Sequence, residues 1–180
     1  MCESVSDTHE NIQDLTLLRR RFGHRLARLA TLWRRDIDHD LRRFNLTDAT
    51  WRPLYYLRSL PQPVRQTDLA RALSVEGPSL VRVLDVLEKQ GLVSRDVDPD
   101  DRRSKLITLT SSGAAMANHV LQAADKVGSR LLEGVSDGTL RECLGVFDQV
   151  WAALQRSREA EDPDPEAGRR VSSESSERAS

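Results

Sequence analysis

Apolar residues recur at steps of three and four through Leu15, Leu18, Phe22, Leu26, Leu29, Trp33, Ile37, Leu41 and Phe44. That period places them on one stripe of a helix of about eight turns. A second stripe runs through Met116, Val120, Ala124, Val127, Leu131 and Val135, and a third through Leu140, Leu144, Phe147, Trp151 and Leu154. Ser136, just before Asp137, is an N-cap that separates these two. Such stripes need cover, either from one another within a monomer or from a second copy in an intertwined stem. Their combined length exceeds what a compact core of this size needs, which favours the dimer stem.

Shorter elements lie between the long ones. Thr47 to Leu60 carries Leu54, Leu57 and Leu60 on one helical face, with Pro53 in an awkward place. The helix either kinks near Ala49 or starts later with Thr50 as its cap, so that Pro53 falls in the first turn; the later start is preferred. Pro61-Gln62-Pro63 ends it. Thr67 to Leu73 forms a short helix with Leu69, Ala70 and Leu73 inward, and Ser74 to Gly77 forms a turn. Gly77 and Pro78 suit the N-cap and N1 positions of a following helix, which Gly91 stops. Leu80, Leu84 and Leu87 face inward there, which turns Ser79, Arg82, Val86 and Lys89 outward. Two short helices joined by a tight turn make a helix-turn-helix, whose second helix enters the major groove with its N-terminal residues nearest the bases.

Two β-branched runs follow, Leu92 to Arg95 and Lys105 to Leu109, joined by the turn-rich segment from Asp96 to Ser104. They predict a hairpin wing with Arg102 and Arg103 at its tip. An arginine on a protruding ribbon suits a narrow A·T-rich minor groove, where the negative potential is deepest. Asp98, Asp100 and Asp101 would repel phosphates if left free, so at least one is expected to pair with an arginine and set its direction. A solvated hairpin of mixed charge is the alternative. Gly77, Pro78, Ser79, Arg82, Arg102, Arg103 and Lys105 are the candidate DNA contacts, and Asp101 is the candidate that orients the wing.

The net charge of −1 argues against DNA binding only until it is divided along the chain. Residues 159–180 hold seven acids and three arginines, which leaves +3 for the remainder. That segment is rich in Pro, Ser and Glu and is expected to be a disordered acidic tail, and residues 1–14 a flexible N-terminus. Cys2 and Cys143 lie far apart and support neither a disulfide framework nor a zinc ribbon. Cys143 is expected to be a buried, inert thiol. With no basic, apolar leader and no apolar run of about 20 residues, the expected compartment is the cytoplasm. No catalytic motif is visible, and the four histidines are dispersed, so neither an enzyme, a metal nor a cofactor is expected.

The run DLARALSVEGPSLVRVLDVLEKQGLVSR followed by DPDDRRSKLITLT resembles the helix-turn-helix and wing of MarR regulators, with Asp101, Arg103, Leu109 and Thr110 matching the wing pattern. Upstream, Trp33, Ile37-Asp38-His39, Leu46-Thr47 and Trp51 resemble the start of SlyA-type members. Arg65, where the family often has a Ser or Thr cap, and Pro53 depart from it. The resemblance implies a mainly α fold with a small β-hairpin wing, with a winged domain over 15–158 comprising a helix-turn-helix at about 66–90, a wing at about 92–110 and dimerisation helices at about 15–44 and 111–158. It also implies a homodimer that straddles a pseudopalindromic double-stranded operator. Arg82 would be the chief contact of the recognition helix, Ser79 and the backbone near Gly77 would position it, and Arg102 would enter the minor groove. A winged module that binds a protein or small ligand and not DNA is the rival.

The resemblance further suggests a small aromatic carboxylate as effector. Trp33, His39 and Trp51 offer an aromatic wall with a polar edge and Arg28 a cation for the carboxylate. Equally, both tryptophans fit a plain core and His39 a surface position.

Overall fold

The computed structural model describes residues 4–161, with side chains from Asp14 onward apart from Glu159 and Glu161. Of the tail expected over 159–180, the first three residues continue the last helix, and those from 162 onward, like Cys2, lie outside the described residues. Two units are distinguished, one reaching to Leu131 and one beginning at Leu132.

The first unit opens with α1 (Ser4–Leu41), closed by a 3₁₀ turn at Arg42–Phe44 and by Asn45 in the left-handed region. Helix therefore replaces most of the flexible terminus expected over 1–14. No proline or glycine precedes Gly23, so nothing in the sequence halts a ladder that is already nucleated further on. Next come α2 (Asp48–Ser59), β1 (Val64–Arg65), α3 (Gln66–Leu73), α4 (Gly77–Lys89), β2 (Val93–Val97), β3 (Lys105–Leu109) and α5 (Ser111–Leu131). The second unit carries α6 (Asp137–Glu161).

The preferred late start of α2 is wrong. The helix begins at Asp48 with Thr47 as N-cap, and the Thr47 N–H donates to Thr50 Oγ1 at 2.9 Å in a capping box. That reciprocal cap fixes the first turn before Pro53 is reached, and the proline sits inside the helix with its ring buried. Because Pro53 has no N–H, one bond of the ladder is missing there, and burial of Trp51, Leu54 and Leu57 on the same helix offsets the loss.

A single core collects the inward faces. Leu41 of α1, Leu54 and Leu57 of α2, Leu69 of α3, Leu80, Leu84 and Leu87 of α4, Ile107 of β3, and Val120 and Val127 of α5 are fully buried. Each such side chain contributes roughly 1.5–3 kcal/mol relative to exposure. The sheet has the order β1-β3-β2, both pairs antiparallel. Val93 pairs with Leu109 and Val97 with Lys105 along the hairpin, while Val64 and Arg65 add a short third strand opposite Ile107 and Leu106.

Gly113 fixes how the hairpin joins α5. A Cβ at this position would lie 1.8 Å from the Leu92 carbonyl oxygen, so only glycine allows the helix start to pass the strand this closely. The Thr110 hydroxyl donates to the Gly91 carbonyl at 2.6 Å and accepts from the Gly113 N–H at 3.0 Å, locking the same junction.

The long stripe of α1 divides in two. Ile37 and Leu41 are buried in the core, whereas Leu18 and Leu29 are 62% and 61% exposed. On α6, capped by the Ser136 hydroxyl that accepts from the Thr139 N–H, Leu144 and Trp151 are 59% and 55% exposed. Cys143, next to Leu144 on α6, is likewise exposed in the single chain. Among the described residues no helix is long and apolar enough to cross a membrane.

Candidate nucleic-acid interface

The turn between α3 and α4 sets the recognition helix. Ser74 adopts a left-handed conformation at the end of α3, where its N–H reaches the Arg71 carbonyl at 3.1 Å. Glu76 is the N-cap residue of α4, its carbonyl accepting from the Ser79 and Leu80 N–H groups, both at 3.1 Å. Gly77 and Pro78 therefore stand in the first turn, one place further into the helix than expected. Proline costs nothing there, because the first N–H groups of a helix have no internal partner.

Burial of Leu80, Leu84 and Leu87 holds α4 with Ser79, Arg82, Val86 and Lys89 exposed on its outer side. Arg82 makes no hydrogen bond or ion pair among the described residues. Its guanidinium is available to a base edge or a phosphate, the two acceptors it suits best.

The wing is held from below by a pair that sequence reasoning missed. Asp98 is buried at 2% exposure, and its carboxylate accepts from Arg65 Nε at 2.8 Å and from the Asp100 N–H at 3.0 Å. The Asp100 N–H, together with Arg65, holds the Asp98 carboxyl below the usual carboxylate range and outweighs the opposing effect of burial. Arg65 stands at the N-cap position of α3 and makes no side-chain cap, because a guanidinium has no acceptor to offer the helix N–H groups; its side chain reaches the wing. An acid of this loop does pair with an arginine, but with one lying 33 residues upstream and not with Arg102 or Arg103. Asp101 shapes the tip through the backbone, its carboxylate accepting from the Arg103 N–H at 3.0 Å and its carbonyl from the Ser104 N–H at 2.8 Å. Arg102, Arg103 and Lys105 are exposed.

A second link ties the wing to the recognition helix. Arg95 of β2 meets Asp85 at 2.6 Å, and its Nε donates to Glu88 at 3.0 Å, both acids on α4. Glu88 is held below its ordinary value by this arginine, and Arg95 is raised in turn. Gln62 bridges the end of α2 to β3, donating to the Leu57 carbonyl and accepting from the Leu109 N–H at 2.7 Å. These contacts make α4, β2 and β3 one body, so exposed arginines on helix and wing keep a fixed spacing.

The MarR family profile matches residues 44–104, the stretch that contains this assembly. The crystal structure of the transcriptional regulator PA3341 is 34% identical, has a TM-score of 0.70, and spans 75% of this chain and 98% of its own. The chain belongs to the MarR family. A DNA complex of S. aureus MepR, 25% identical with a TM-score of 0.66, spans 73% of this chain and 97% of its own. A MarR-family regulator from Rhodococcus sp. RHA1, 24% identical with a TM-score of 0.67, shares the fold over 74% of this chain and 94% of its own. As in other MarR proteins, the architecture is helical with a small three-stranded antiparallel sheet, a winged helix-turn-helix.

The four residues singled out for an effector do not line a common cavity. Trp51 is in the core, its Nε1 without a hydrogen-bond partner, and Trp33 is partly buried with Cζ2 beside Gly128. His39 lines a cleft of about 450 Å³ with Asp40, Arg43, His119, Gln122 and Lys126. Arg28 lines a separate shallow hollow with His24, Ala27, Thr31 and Leu32. Among the described residues no group of three or more His, Cys, Asp or Glu could hold a metal ion.

Proposed function

We propose that this chain acts as a homodimer that binds a pseudopalindromic double-stranded DNA site and regulates transcription there. The observation that carries the reading is the pairing of a free, exposed Arg82 on α4 with an exposed Arg102 at a wing tip braced by Asp98, Arg65 and Arg95. Recognition helices in successive major grooves would take Ser79 and Arg82 to the bases and phosphates, with Gly77 and Pro78 bringing backbone close. Arg102 would enter the minor groove, with Arg103 and Lys105 on flanking phosphates and Asp101 shaping the turn that presents them. MepR, with the same fold, is known in complex with DNA, which supports this reading.

The dimer is supported by the uncovered stripes on α1 and α6, which a second copy would bury. Membership of the SlyA group rests on the pattern around Trp33, His39 and Trp51. In the structure three residues of that pattern, Ile37, Leu46 and Trp51, serve the core. A small aromatic carboxylate is the proposed effector class. The cleft beside His39, where Arg43 supplies a cation and Lys126 is paired with Asp40, suits it better than a wall shared with Arg28, Trp33 and Trp51.

Gel-shift titration of Arg82→Ala and Arg102→Ala against operator DNA tests the reading. Each variant should weaken binding by at least about fivefold, given about 1–3 kcal/mol for a good arginine contact, while the oligomeric mass stays unchanged. Unchanged affinity in both would favour the rival, a winged module that binds a protein or ligand and not DNA.

A further inference from the structure

We infer that the outward face of α1 is a second, sequence-independent binding surface for the phosphate backbone of duplex DNA. From Leu15 to Arg35 the sequence holds seven arginines and no Asp or Glu. Arg21, Arg28 and Arg35 follow at steps of seven, with Arg20 and His24 beside them, on the far side of the helix from the Leu15, Phe22, Leu26 and Trp33 stripe, while Arg25 lies on the flank next to Leu18. The row is about 20 Å long at 1.5 Å per residue. Every residue from Asp14 to Leu32 is exposed, and so is Arg35.

Several cations elsewhere in the first unit are neutralised locally. Arg65 meets Asp98, Arg71 meets Asp68, Arg95 meets Glu88, Lys126 meets Asp40 and Arg130 meets Asp36. Arg20, Arg21, Arg25, Arg28 and Arg35 make no ion pair among the described residues. Like charges at i, i+4 destabilise a helix by a few tenths of a kcal/mol per pair, so folding alone does not favour this row. A polyanion removes that repulsion.

Arginine is the side chain that matches phosphate oxygens in bidentate fashion, and a duplex presents about one charge per 1.7 Å of its axis. An anionic membrane is the other polyanion to weigh. A helix bound at a membrane must also bury its apolar stripe there, and that is the face assigned to the second copy. The face opposite the stripe stays open in a dimer, which favours DNA. This surface extends the proposed DNA-binding role but does not use the recognition helix.

The test is binding of the full chain to a long duplex of random sequence over a range of salt. Combining Arg20→Gln, Arg21→Gln, Arg25→Gln and Arg28→Gln should flatten the slope of log K against log salt by about 0.9 per lost phosphate contact. The four-lysine counterpart should restore most of the slope, which separates charge from a folding defect. Arg82→Ala combined with Arg102→Ala should lose preference for operator DNA yet keep salt-dependent affinity for the random duplex. An unchanged slope in the four-glutamine variant overturns the inference, as does complete loss of random-duplex binding in the Arg82, Arg102 double variant. Loss of binding to phosphatidylserine vesicles with no change on DNA assigns the face to lipid and also overturns it. Because operator preference is read separately, failure here leaves the proposed regulatory role standing.

Discussion

Gly113 and Gly128 lie on the same helix, α5, and the structure requires that replacing them with alanine have opposite effects. At Gly113 the new Cβ would sit 1.8 Å from the Leu92 carbonyl oxygen and 2.8 Å from its carbon, both backbone atoms that no rotamer change can move. Relief requires that α5 and the base of the wing separate, and overpacking of this kind costs about 3 kcal/mol. Alanine gains up to about 1 kcal/mol over glycine in a helix, so a net loss of about 2 kcal/mol is expected. At Gly128 the Cβ would meet only Trp33 Cζ2, at 3.7 Å, an ordinary van der Waals contact. There the propensity gain stands alone, about 0.5–1 kcal/mol. For a chain of this size 1 kcal/mol moves Tm by about 2–4 °C, so Gly113→Ala should melt about 4–8 °C lower and Gly128→Ala about 1–4 °C higher. Thermal unfolding at one protein concentration reads both, the fixed concentration being needed because subunit association contributes to Tm. Since the strain falls on the strand that carries the wing, Gly113→Ala should also weaken DNA binding. Two shifts of the same sign, or no change at Gly113, would refute the close approach of α5 to β2.

The Asp98 carboxyl titrates below its unfolded value, so its contribution is present above about pH 4 and is lost as pH falls through the lower folded value. Asp98→Asn should therefore melt below the parent at neutral pH, with a gap that closes in acid; a gap constant from pH 7 to pH 2 contradicts the pairing. Placing glutamate at both Leu18 and Leu29, which are exposed in the single chain, should produce a monomer by light scattering. Two positions in two copies, each worth about 1.5–3 kcal/mol, amount to at least a ten-thousandfold weaker dimer. A variant that keeps the parent mass shows that this stripe is not the subunit interface.

Local pattern was sufficient for the helix-turn-helix. Leu69, Ala70 and Leu73 on α3, and Leu80, Leu84 and Leu87 on α4, are buried as their spacing requires, and Gly91 has the positive φ of a stop. The hairpin and the Ser136 cap were equally legible, because turn and cap chemistry is read over a few residues. What escaped depends on long-range geometry. Arg65 looked like a poor cap, and only the folded chain shows it spanning to Asp98. Val64 and Arg65 are too short a run to announce a strand, and become one because β3 offers an open edge. Pro53 suggests a later start for α2 than the chain adopts, because the cap at Thr47 and Thr50 outweighs the ladder bond that the proline removes. Nearness in sequence does not gather the effector candidates: on α1, at about 100° per residue, Trp33 leaves on a different side from Arg28 and His39, and those two share a side but stand about 16 Å apart along the axis.

The most direct test of the central claim is to select bound sequences from random duplexes and then measure stoichiometry on the selected site. The account predicts inverted half-sites with centres about 10–10.5 base pairs, or a multiple, apart, two chains per duplex, and an affinity that falls steeply with salt. No enriched sequence, or a single half-site holding one chain, would contradict it.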